Sequence, residues 1–512
     1  MSKKTIIKGT LILTLAGFLT RIIGFFYKIF LSKELGAETM GVYQLIFPIY
    51  GICFTLYASG IQTSISKLIA GQIGKTTQGN PKNVVKTLRL GLTCSLLIAF
   101  SLSIAVFFGA DLIAQRFIAE PASAESLRIM SVVFPFCAIT ANINGYYYGL
   151  KKTFVPASTQ LLEQMVRVAF VFLIANFYGN GDMKLTCEIA VLGLVVGEIG
   201  STLYNIASML IGGNPKKQVK QLKVIPEDKH ILKQLIKLAV PLTSNRLLLS
   251  VLNSIEAVLI PIMLRRSGLS VSDSLSIFGV LIGMALPFIF FPTAITNAFA
   301  ILLLPTISEA DASNNEKQIK STTAIAIKYC LIIGILSTGL FITFGHTLGN
   351  IVYDNEMVGT FLVTLAWLCP CLYLTTTLSS ILNGLGKAHV TFLNSVVGIS
   401  LRILFVVFAI PAFGINGYMI GVLISQLAIT TLDVFAIKRN INIAMDWYEW
   451  LLKPGLFIAI LSFFANQANT LLLAYTSLSR VWILLIASLF LIVSYLIMLI
   501  LSKTVRITEF KR

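Results

Sequence analysis

The sequence predicts an all-α polytopic membrane protein with about fourteen transmembrane helices in two related lobes. Of its 512 residues, 56% are hydrophobic and only 12% are charged, a composition that a water-soluble fold of this length cannot bury. The apolar residues fall into runs that can cross a bilayer, which needs about 20 residues. An internal repeat relates the two halves of the chain. Together these observations define the fold class.

Polar residues divide the apolar sequence into separate segments. The predicted spans are 6–31, 42–70, 84–109, 127–150, 154–177, 187–211, 235–264, 275–305, 321–346, 358–384, 390–412, 415–437, 454–475 and 480–502. We expect an N-terminal lobe of six spans over 1–211, a basic cytoplasmic linker over 212–234 and a second lobe of six spans over 235–438. Residues 439–512 then hold spans 13 and 14 and a basic tail.

Lysine and arginine are concentrated in alternate loops, which predicts the orientation in the membrane. On the N-terminal side they are Lys3, Lys4, Lys8, Lys75, Lys82, Lys86, Arg89, Lys151, Lys152, the run from Lys216 to Lys237, Lys317, Lys320, Lys387, Lys438, Arg439, Lys453 and the tail from Lys503 to Arg512. On the other side they are Lys33, Arg116, Arg128, Lys184, Arg265, Arg266 and Arg480. Both termini should therefore be cytoplasmic, and the first span should be retained rather than cleaved. The net charge of +18 is explained by the basic cytoplasmic loops, which orient the protein and contact anionic lipid. No nucleic-acid partner is therefore expected.

A shift of 235 residues aligns the halves without a gap from Pro135 to Phe170. Identical residues then meet at Pro135 and Pro370, Gly149 and Gly384, Lys152 and Lys387, Val155 and Val390, Arg167 and Arg402, and Phe170 and Phe405. Both halves start on the cytoplasmic side, so the repeat is parallel, and spans 13 and 14 lie outside it.

The first span, 6–31, carries a positive stripe on one helix face. Gly17, Arg21, Gly24 and Lys28 are four, three and four residues apart, which places them on one side of a helix. A cation in hydrocarbon costs several kcal/mol unless it faces protein, water or an anion, and small residues allow a neighbour to approach. Arg21 is the deeper cation, whereas Lys28 lies near the end of the span, where it can reach the headgroups. In the repeat, Arg21 lies opposite a polar or acidic residue of span 7.

Span 5 places Arg167 near mid-membrane, with Glu163 one turn earlier in the favourable order. Two interpretations are open: a self-neutralised structural pair, or an arginine that helps to bind an anion. Arg402 occupies the matching depth of span 11 without an acid one turn away. It is therefore a candidate for contact with an anion or for pairing across the cleft.

Span 7 holds Arg246 and Asn253 on one face, with Glu256 about one turn further on. Arg246 is either a cleft cation or a side chain that extends to the lipid headgroups. Other charges inside the spans are Glu198, Lys328 and Asp433. Singly, each of these is more often a helix-end or interhelical partner than a site. The candidates for coupling to Na⁺ or H⁺ are Glu163, Asn253, Glu256 and Asp433.

Catalytic and metal-binding patterns are missing from the sequence. The seven cysteines are scattered, and Cys369 and Cys371, the only close pair, lack metal-ligand partners. The three histidines are isolated. No nucleotide-binding or nucleophile motif is complete. We therefore expect no enzyme activity, no metal and no cofactor.

Several motifs in order resemble those of a known family. They are Lys8-Gly9-Thr10, Thr20-Arg21-Ile-Ile-Gly24, Gly149, Pro156, Gln160-Leu-Leu-Glu163-Gln164-Met-Val-Arg167, Phe278-Gly279-Val-Leu-Ile-Gly283-Met-Ala-Leu-Pro287 and Leu304-Pro305-Thr-Ile-Ser308-Glu309. The chain resembles the polysaccharide-biosynthesis branch of the multidrug/oligosaccharidyl-lipid/polysaccharide (MOP) exporter superfamily over nearly its whole length. Order and spacing, rather than any single motif, carry the resemblance.

The resemblance implies a MATE/MurJ-like fold with two lobes and alternating access in the bacterial cytoplasmic membrane. It implies a polyprenyl-pyrophosphate-linked saccharide as substrate, such as a peptidoglycan precursor, and spore cortex synthesis in the sporulation members. Arg21 and Gly24 match the basic span 1 pattern that lines a cationic cavity in the MurJ family of lipid II flippases. Where that family has a second arginine, this chain has Tyr27, followed by Lys28.

Three functional hypotheses follow. The first is a flippase for a lipid-linked anionic saccharide, with Arg21, Arg167, Arg246, Arg402 and Lys28 offsetting the desolvation of its headgroup. The second is a MATE-type multidrug or cation exporter, which would favour acidic and aromatic residues in the cleft. The third is a membrane scaffold that organises cell-wall synthesis enzymes and transports nothing.

Overall fold

A computed structural model describes residues 3–74, 81–178, 185–211, 230–441, 443 and 445–505. These residues form helices and no strand, which confirms the all-α class. The helices are α1 Lys3–Phe54, α2 Gly60–Gly74, α3 Pro81–Leu112, α4 Ala124–Ser131, α5 Phe134–Gly149, α6 Phe154–Tyr178, α7 Cys187–Ile211, α8 Ile231–Arg266, α9 Val271–Phe278, α10 Leu286–Phe290, α11 Thr293–Ala312, α12 Glu316–Tyr353, α13 Glu356–Leu365, α14 Cys369–Gly384, α15 Ala388–Phe408, α16 Ile410–Phe413, α17 Ile415–Asn440, α18 Lys453–Tyr475 and α19 Arg480–Leu501. Most of the predicted linker lies outside the described residues.

The first two spans form one nearly continuous helical segment with a sharp break. Gly36 interrupts α1 with φ of 75° and ψ of 173°, a backbone conformation that glycine adopts without a steric penalty. The break separates span 1 from the rest of α1, which continues through a π-helical turn at Thr55–Ser59 into α2. A single glycine therefore interrupts the helix between two predicted spans.

The described residues contain thirteen helical segments long and apolar enough to cross a membrane, or fourteen if the bent pair Pro121–Ser131 and Phe134–Gly149 is one span. The total agrees with the predicted number, but the segments differ from the predicted spans at two places. The predicted spans 6–31 and 42–70 are joined in one segment, Ile12–Gln72. The predicted span 275–305 is two segments, Val271–Phe290 and Thr293–Ala312, separated by a turn at Phe291 and Pro292. Proline has no backbone N–H to donate to the preceding turn, which explains the break there.

The chain separates into two compact units. The first contains Met1–Arg265 and Leu269–Gly279, and the second contains Arg266–Gly268 and Val280–Arg512. Each unit has an apolar core built from matching helices of the repeat. In the first unit, side chains of α2, α3 and α5 pack together, as Ile65, Leu88 and Ile143 illustrate. In the second, α11, α12 and α14 do the same through Ile307, Ile327 and Leu378.

The repeated glycines at the ends of α5 and α14 have the same packing role. A Cβ atom at Gly149 would lie 2.7 Å from the Cβ of Ile69 on α2, and one at Gly384 would lie 3.0 Å from the Cβ of Ile307 on α11. Both distances are shorter than van der Waals contact. The equivalent glycines thus allow equivalent helix pairs to approach closely, which supports the predicted parallel repeat.

Helix α8 differs from the predicted division into halves. Its sequence begins the second repeat, yet it belongs to the first compact unit. Ser254 donates a hydrogen bond to the Pro48 carbonyl of α1 at 3.0 Å, and a Cβ at Gly60 would lie 2.9 Å from the Ala239 carbonyl oxygen. Repeat order therefore does not determine which helices pack together, and the division into functional lobes remains a prediction.

The two C-terminal helices pack against α12 of the second unit. Their shared core includes Ile335 and Phe344 of α12, Ile458 and Ala465 of α18, and the fully buried Tyr495 of α19. Spans 13 and 14 are thus integrated into the second unit, although they lie outside the repeat.

We expect Gly149→Ala to destabilise the protein by about 1–3 kcal/mol, because the added methyl group must displace Ile69 or move α2. The matched control is Gly71→Ala, since a Cβ at Gly71 of α2 meets nothing within 4 Å and alanine favours a helix by about 0.5–1 kcal/mol. Thermal unfolding of the detergent-solubilised full-length protein measures both effects. Equal unfolding temperatures for the two variants would contradict the close contact between α2 and α5.

Candidate functional site

The positive stripe of α1 does not face a single environment. A Cβ at Gly24 would lie 3.9 Å from the Oε1 atom of Gln164 on α6, whereas one at Gly17 would meet nothing within 4 Å. Arg21 is exposed, and Lys28 is half-buried. The stripe therefore packs against α6 at Gly24, whereas it has open space at Gly17, one turn from Arg21.

Helix α6 holds the predicted pair of Arg167 and Glu163, and the two side chains are in direct ionic contact. Their exposed fractions are only 15% and 22%. On α7, a Cβ at Gly197 would lie 2.9 Å from the Glu163 carbonyl oxygen and 3.1 Å from the Arg167 Cβ. Glycine at 197 thus lets α7 approach and brings the buried carboxyl group of Glu198 into electrostatic contact with the pair.

This acidic–basic cluster, defined as Glu163, Arg167 and Glu198, is surrounded by neutral polar groups. Three tyrosines of α1 lie near enough to Arg167 to affect its electrostatics; they are Tyr27, Tyr43 and Tyr50. Two carboxyl groups against one guanidinium leave no surplus positive charge. The arrangement favours the structural interpretation of Arg167, and its role as an anion contact remains a prediction.

Arg246 has a different environment. Its Nη1 donates hydrogen bonds to the Ser59 carbonyl at 2.8 Å, to the Ser59 hydroxyl at 2.7 Å and to the Thr63 hydroxyl at 3.3 Å. Ser59 ends the π-helical turn that joins α1 to α2. Within the described part of the chain, Arg246 has only neutral hydrogen-bond partners, and its side chain is exposed. The guanidinium is thus held in place without being neutralised.

The other polar residues of α8 divide by burial. Asn253 is exposed and donates to the Leu249 carbonyl of its own helix at 2.8 Å. Glu256 is only 7% exposed and is engaged in an interaction. Asn253 is therefore accessible to a ligand, and Glu256 acts inside the packed first unit.

In the second unit, Asp433 of α17 is the most buried predicted site residue, at 1% exposure. Its Oδ1 accepts a hydrogen bond from the Asn394 amide at 2.7 Å, while its Oδ2 has no hydrogen-bond partner among the described residues. Arg402 is half-buried and engaged in at least one interaction. Asp433 therefore retains one acceptor oxygen for a proton or a cation.

The repeat extends to buried carboxyl groups that sequence reasoning treated singly. Glu198 and Asp433 are separated by the same 235 residues that relate Arg167 to Arg402. Residue spacing alone does not link Glu198 to the Arg167 pair, and it gives no signal for Asn394. Extending the 235-residue register beyond Phe170 would have linked the two carboxyl groups. The position of Glu198 beside the Arg167 pair could not have been predicted, because it depends on how closely α7 packs against α6.

These features define a class of protein: a two-unit bundle of membrane-spanning helices with ionisable groups held inside each unit. A profile of the family described as "Polysaccharide biosynthesis protein" matches residues 6–269, more than half of the chain. The chain belongs to the polysaccharide biosynthesis protein family.

Comparison with individual proteins agrees with this assignment. The chain is 25% identical over 455 residues to stage V sporulation protein B of Bacillus subtilis (strain 168), which covers 88% of this chain and 87% of that protein. Its fold is similar to the lipid II flippase MurJ in an inward closed conformation, with a TM-score of 0.71, 18% identity and coverage of 96% and 99%. It is also similar to an inward-facing MATE family transporter of the MOP superfamily, with a TM-score of 0.66, 15% identity and coverage of 83% and 94%.

At these identities the solved structures establish the fold alone. Together with the family match, they confirm the predicted multi-pass membrane protein of the MOP superfamily and its polysaccharide-biosynthesis branch. The relatives whose names give an activity, lipid II flippase MurJ and MATE family transporters, are flippases and transporters rather than enzymes, which agrees with the predicted class.

We expect Arg167→Gln to destabilise the first unit strongly, because removing the guanidinium leaves two carboxyl groups close together in a buried site. Removal of one partner from a buried ion pair costs about 3–5 kcal/mol. Adding Glu198→Gln should restore part of the loss. Thermal unfolding of the single and double variants measures this coupling.

The control is Arg128→Gln, since Arg128 pairs with Asp111 and Glu125 at exposed positions, where such pairs contribute about 0–1 kcal/mol. A stable Arg167→Gln protein that loses only transport would favour the anion-binding interpretation instead.

Proposed function

We propose that this protein is a flippase that moves a polyprenyl-pyrophosphate-linked saccharide from the inner to the outer leaflet of the bacterial cytoplasmic membrane. A peptidoglycan precursor is the substrate that the resemblance to lipid II flippases favours, and the sporulation relative favours cell-wall or spore-cortex synthesis. Alternating access is the mechanism implied by the family, with both termini in the cytoplasm as the lysine asymmetry predicts.

The geometry of Arg246 is the observation that carries this proposal. A cation inside an apolar helix bundle is costly unless a partner compensates it. Neutral oxygens of Ser59 and Thr63 orient the side chain but leave its full charge, and a guanidinium has five N–H donors in total. Such a group is suited to a diphosphate, which offers several charged oxygen acceptors.

Arg21 is the second residue that we assign to the substrate headgroup. Its side chain is exposed next to the open position of Gly17, and it matches the basic residue of span 1 in the MurJ family. Arg402 and Lys28, both half-buried, are further contacts in the proposal. Arg167 contributes less because Glu163 and Glu198 offset its charge.

Transport against a gradient requires coupling, and we assign it to Na⁺ or H⁺ without a bound cofactor. Asp433, held by Asn394 through one oxygen, is the strongest candidate because its second oxygen has no partner in the described residues. Glu163, Glu256 and Asn253 are the candidates in the first unit. Cell-wall synthesis enzymes remain predicted partners, in addition to the surrounding membrane lipids.

A multidrug or cation exporter of the same superfamily is the second candidate. The observation that favours it is the pair of repeat-related buried carboxyl groups, Glu198 and Asp433, which would suit a cationic cargo. In our proposal these groups serve the fold and the driving ion, and the cargo contacts are the arginines.

We expect Arg246→Ala to reduce flipping by about tenfold or more, since each charge-assisted hydrogen bond lost contributes about 1.5–3 kcal/mol. Arg246→Lys should retain part of the activity because the charge remains. The measurement is labelling of outer-leaflet lipid-linked precursor with a membrane-impermeant probe, in cells depleted of their own flippase. Arg21→Ala should show the same loss.

The matched control for both substitutions is Arg439→Ala, which removes an exposed arginine on the predicted cytoplasmic surface. Membrane levels of every variant are measured in parallel. Full activity of Arg246→Ala and Arg21→Ala would exclude the cationic site. Unchanged precursor labelling together with altered dye efflux would identify the protein as the exporter.

We expect Asp433→Asn to abolish the dependence of transport on an ion gradient, because the amide keeps the shape of the carboxyl group but not its charge. Purified protein in proteoliposomes is assayed with imposed Na⁺ and H⁺ gradients. The control is Asp446→Asn, an exposed acidic residue outside the spans. If Asp433→Asn still depends on an ion gradient, Asp433 is not the coupling residue, and Glu163 or Glu256 becomes the candidate.

A further inference from the structure

Spans 13 and 14 lie outside the repeat, and the transport proposal gives them no role. Where α18 ends and α19 begins, next to the end of α12, the second unit contains a cavity of about 580 Å³. Its polar lining includes His346, Asn350, Asn469 and Arg480. By the lysine asymmetry, this end of the spans faces the extracytoplasmic side.

Asn469 is the residue that indicates a ligand. It is only 7% exposed and lines the cavity, yet its side-chain amide makes no hydrogen bond to any other residue in the described ranges. The amide atoms of Asn469 are not among the polar side-chain atoms that are fully shielded from solvent and unsatisfied. They therefore open onto the cavity, where a ligand or water can supply their hydrogen-bond partner.

Arg480 lines the same cavity, with an exposed side chain. Among the described residues, its guanidinium forms no ion pair at 4.0 Å or less and no hydrogen bond. Arg480, Asn350 and Asn469 therefore present unused N–H donors to one volume. Phosphate oxygens are the ligand atoms that match a guanidinium flanked by amide donors.

A second volume of about 530 Å³ adjoins the first and shares Asn350, Ile351 and Arg480 with it. It is also lined by the carboxylates of Asp354 and Glu356, neither of which pairs with a cation among the described residues. A donor-rich region next to an acidic one is complementary to a ligand that carries an anion and a cation a few ångströms apart.

The surroundings indicate a lipid as the source of this ligand. Leu473, Leu478 and Ile483 line the rest of the first cavity, which would accommodate the apolar part of an amphiphile. Tyr475 and Trp482 lie between these lining residues in the sequence and are 84% and 60% exposed. Exposed tyrosine and tryptophan at span ends are typical of the level of the lipid headgroups.

We infer that α12, α18 and α19 form a binding site for the headgroup of an aminated phospholipid in the outer leaflet. Arg480, Asn350 and Asn469 bind its phosphate, and Asp354 and Glu356 bind its ammonium group. The site is separate from the transport arginines, and the inference does not depend on the proposed cargo.

The test is native mass spectrometry of the full-length protein in detergent, titrated with phosphatidylethanolamine, with phosphatidylglycerol and with inorganic phosphate. The wild type should retain one phosphatidylethanolamine preferentially. Arg480→Ala and Asn469→Leu should each weaken this binding by about tenfold. The double variant Asp354→Asn/Glu356→Gln should remove the preference for phosphatidylethanolamine over phosphatidylglycerol.

Matched controls are Arg266→Ala and Asn466→Leu, which alter exposed residues, the latter one turn from Asn469 on the same helix. Both should bind as the wild type does. Arg480 is exposed, so its replacement should not disturb the fold. Wild-type affinity in Arg480→Ala would therefore overturn the site. Equal binding of phosphatidylglycerol by the wild type would overturn the ammonium contact, and full competition by inorganic phosphate would overturn the lipid as its source.

Discussion

The free-energy cost of an ionised group among apolar helices constrains every polar feature of this protein. The chain is rich in hydrophobic residues and has few acids to balance its 40 basic residues. A charge within a span must therefore be paired, anchored by neutral oxygens or directed to a cavity. The structure contains all three solutions, and each one implies a different role for the residue.

Arg167 is paired with acids, Arg246 is anchored by neutral oxygens, and Arg480 lines a cavity. Glu163 and Glu198 offset the charge of Arg167, so the cluster leaves no surplus positive charge where α6 meets α7. Ser59 and Thr63 orient Arg246 but leave its charge available. Arginines in this chain thus differ in what surrounds them, and on that basis we assign some to the fold and propose others as ligand contacts.

Close helix packing makes these arrangements possible. Gly197 allows the backbone of α7 to approach α6, which places Glu198 beside the ion pair. Gly149 and Gly384 allow equivalent contacts in the two units. The parallel repeat thereby reproduces packing geometry and, at Glu198 and Asp433, the position of a buried carboxyl group, while the neighbours of that group differ between the units.

The sequence by itself determined the fold class, the parallel repeat and, to within one span, the number of spans. Hydropathy and residue spacing, on which these depend, are local properties. The sequence also predicted the pair of Glu163 and Arg167, which are one helical turn apart. Only the tertiary structure decided the break at Pro292, the packing of α8 with the first unit and the different environments of the arginines. Those features depend on which distant helices meet, and the identity of a helix's neighbours is a property of three-dimensional packing that residue spacing does not encode.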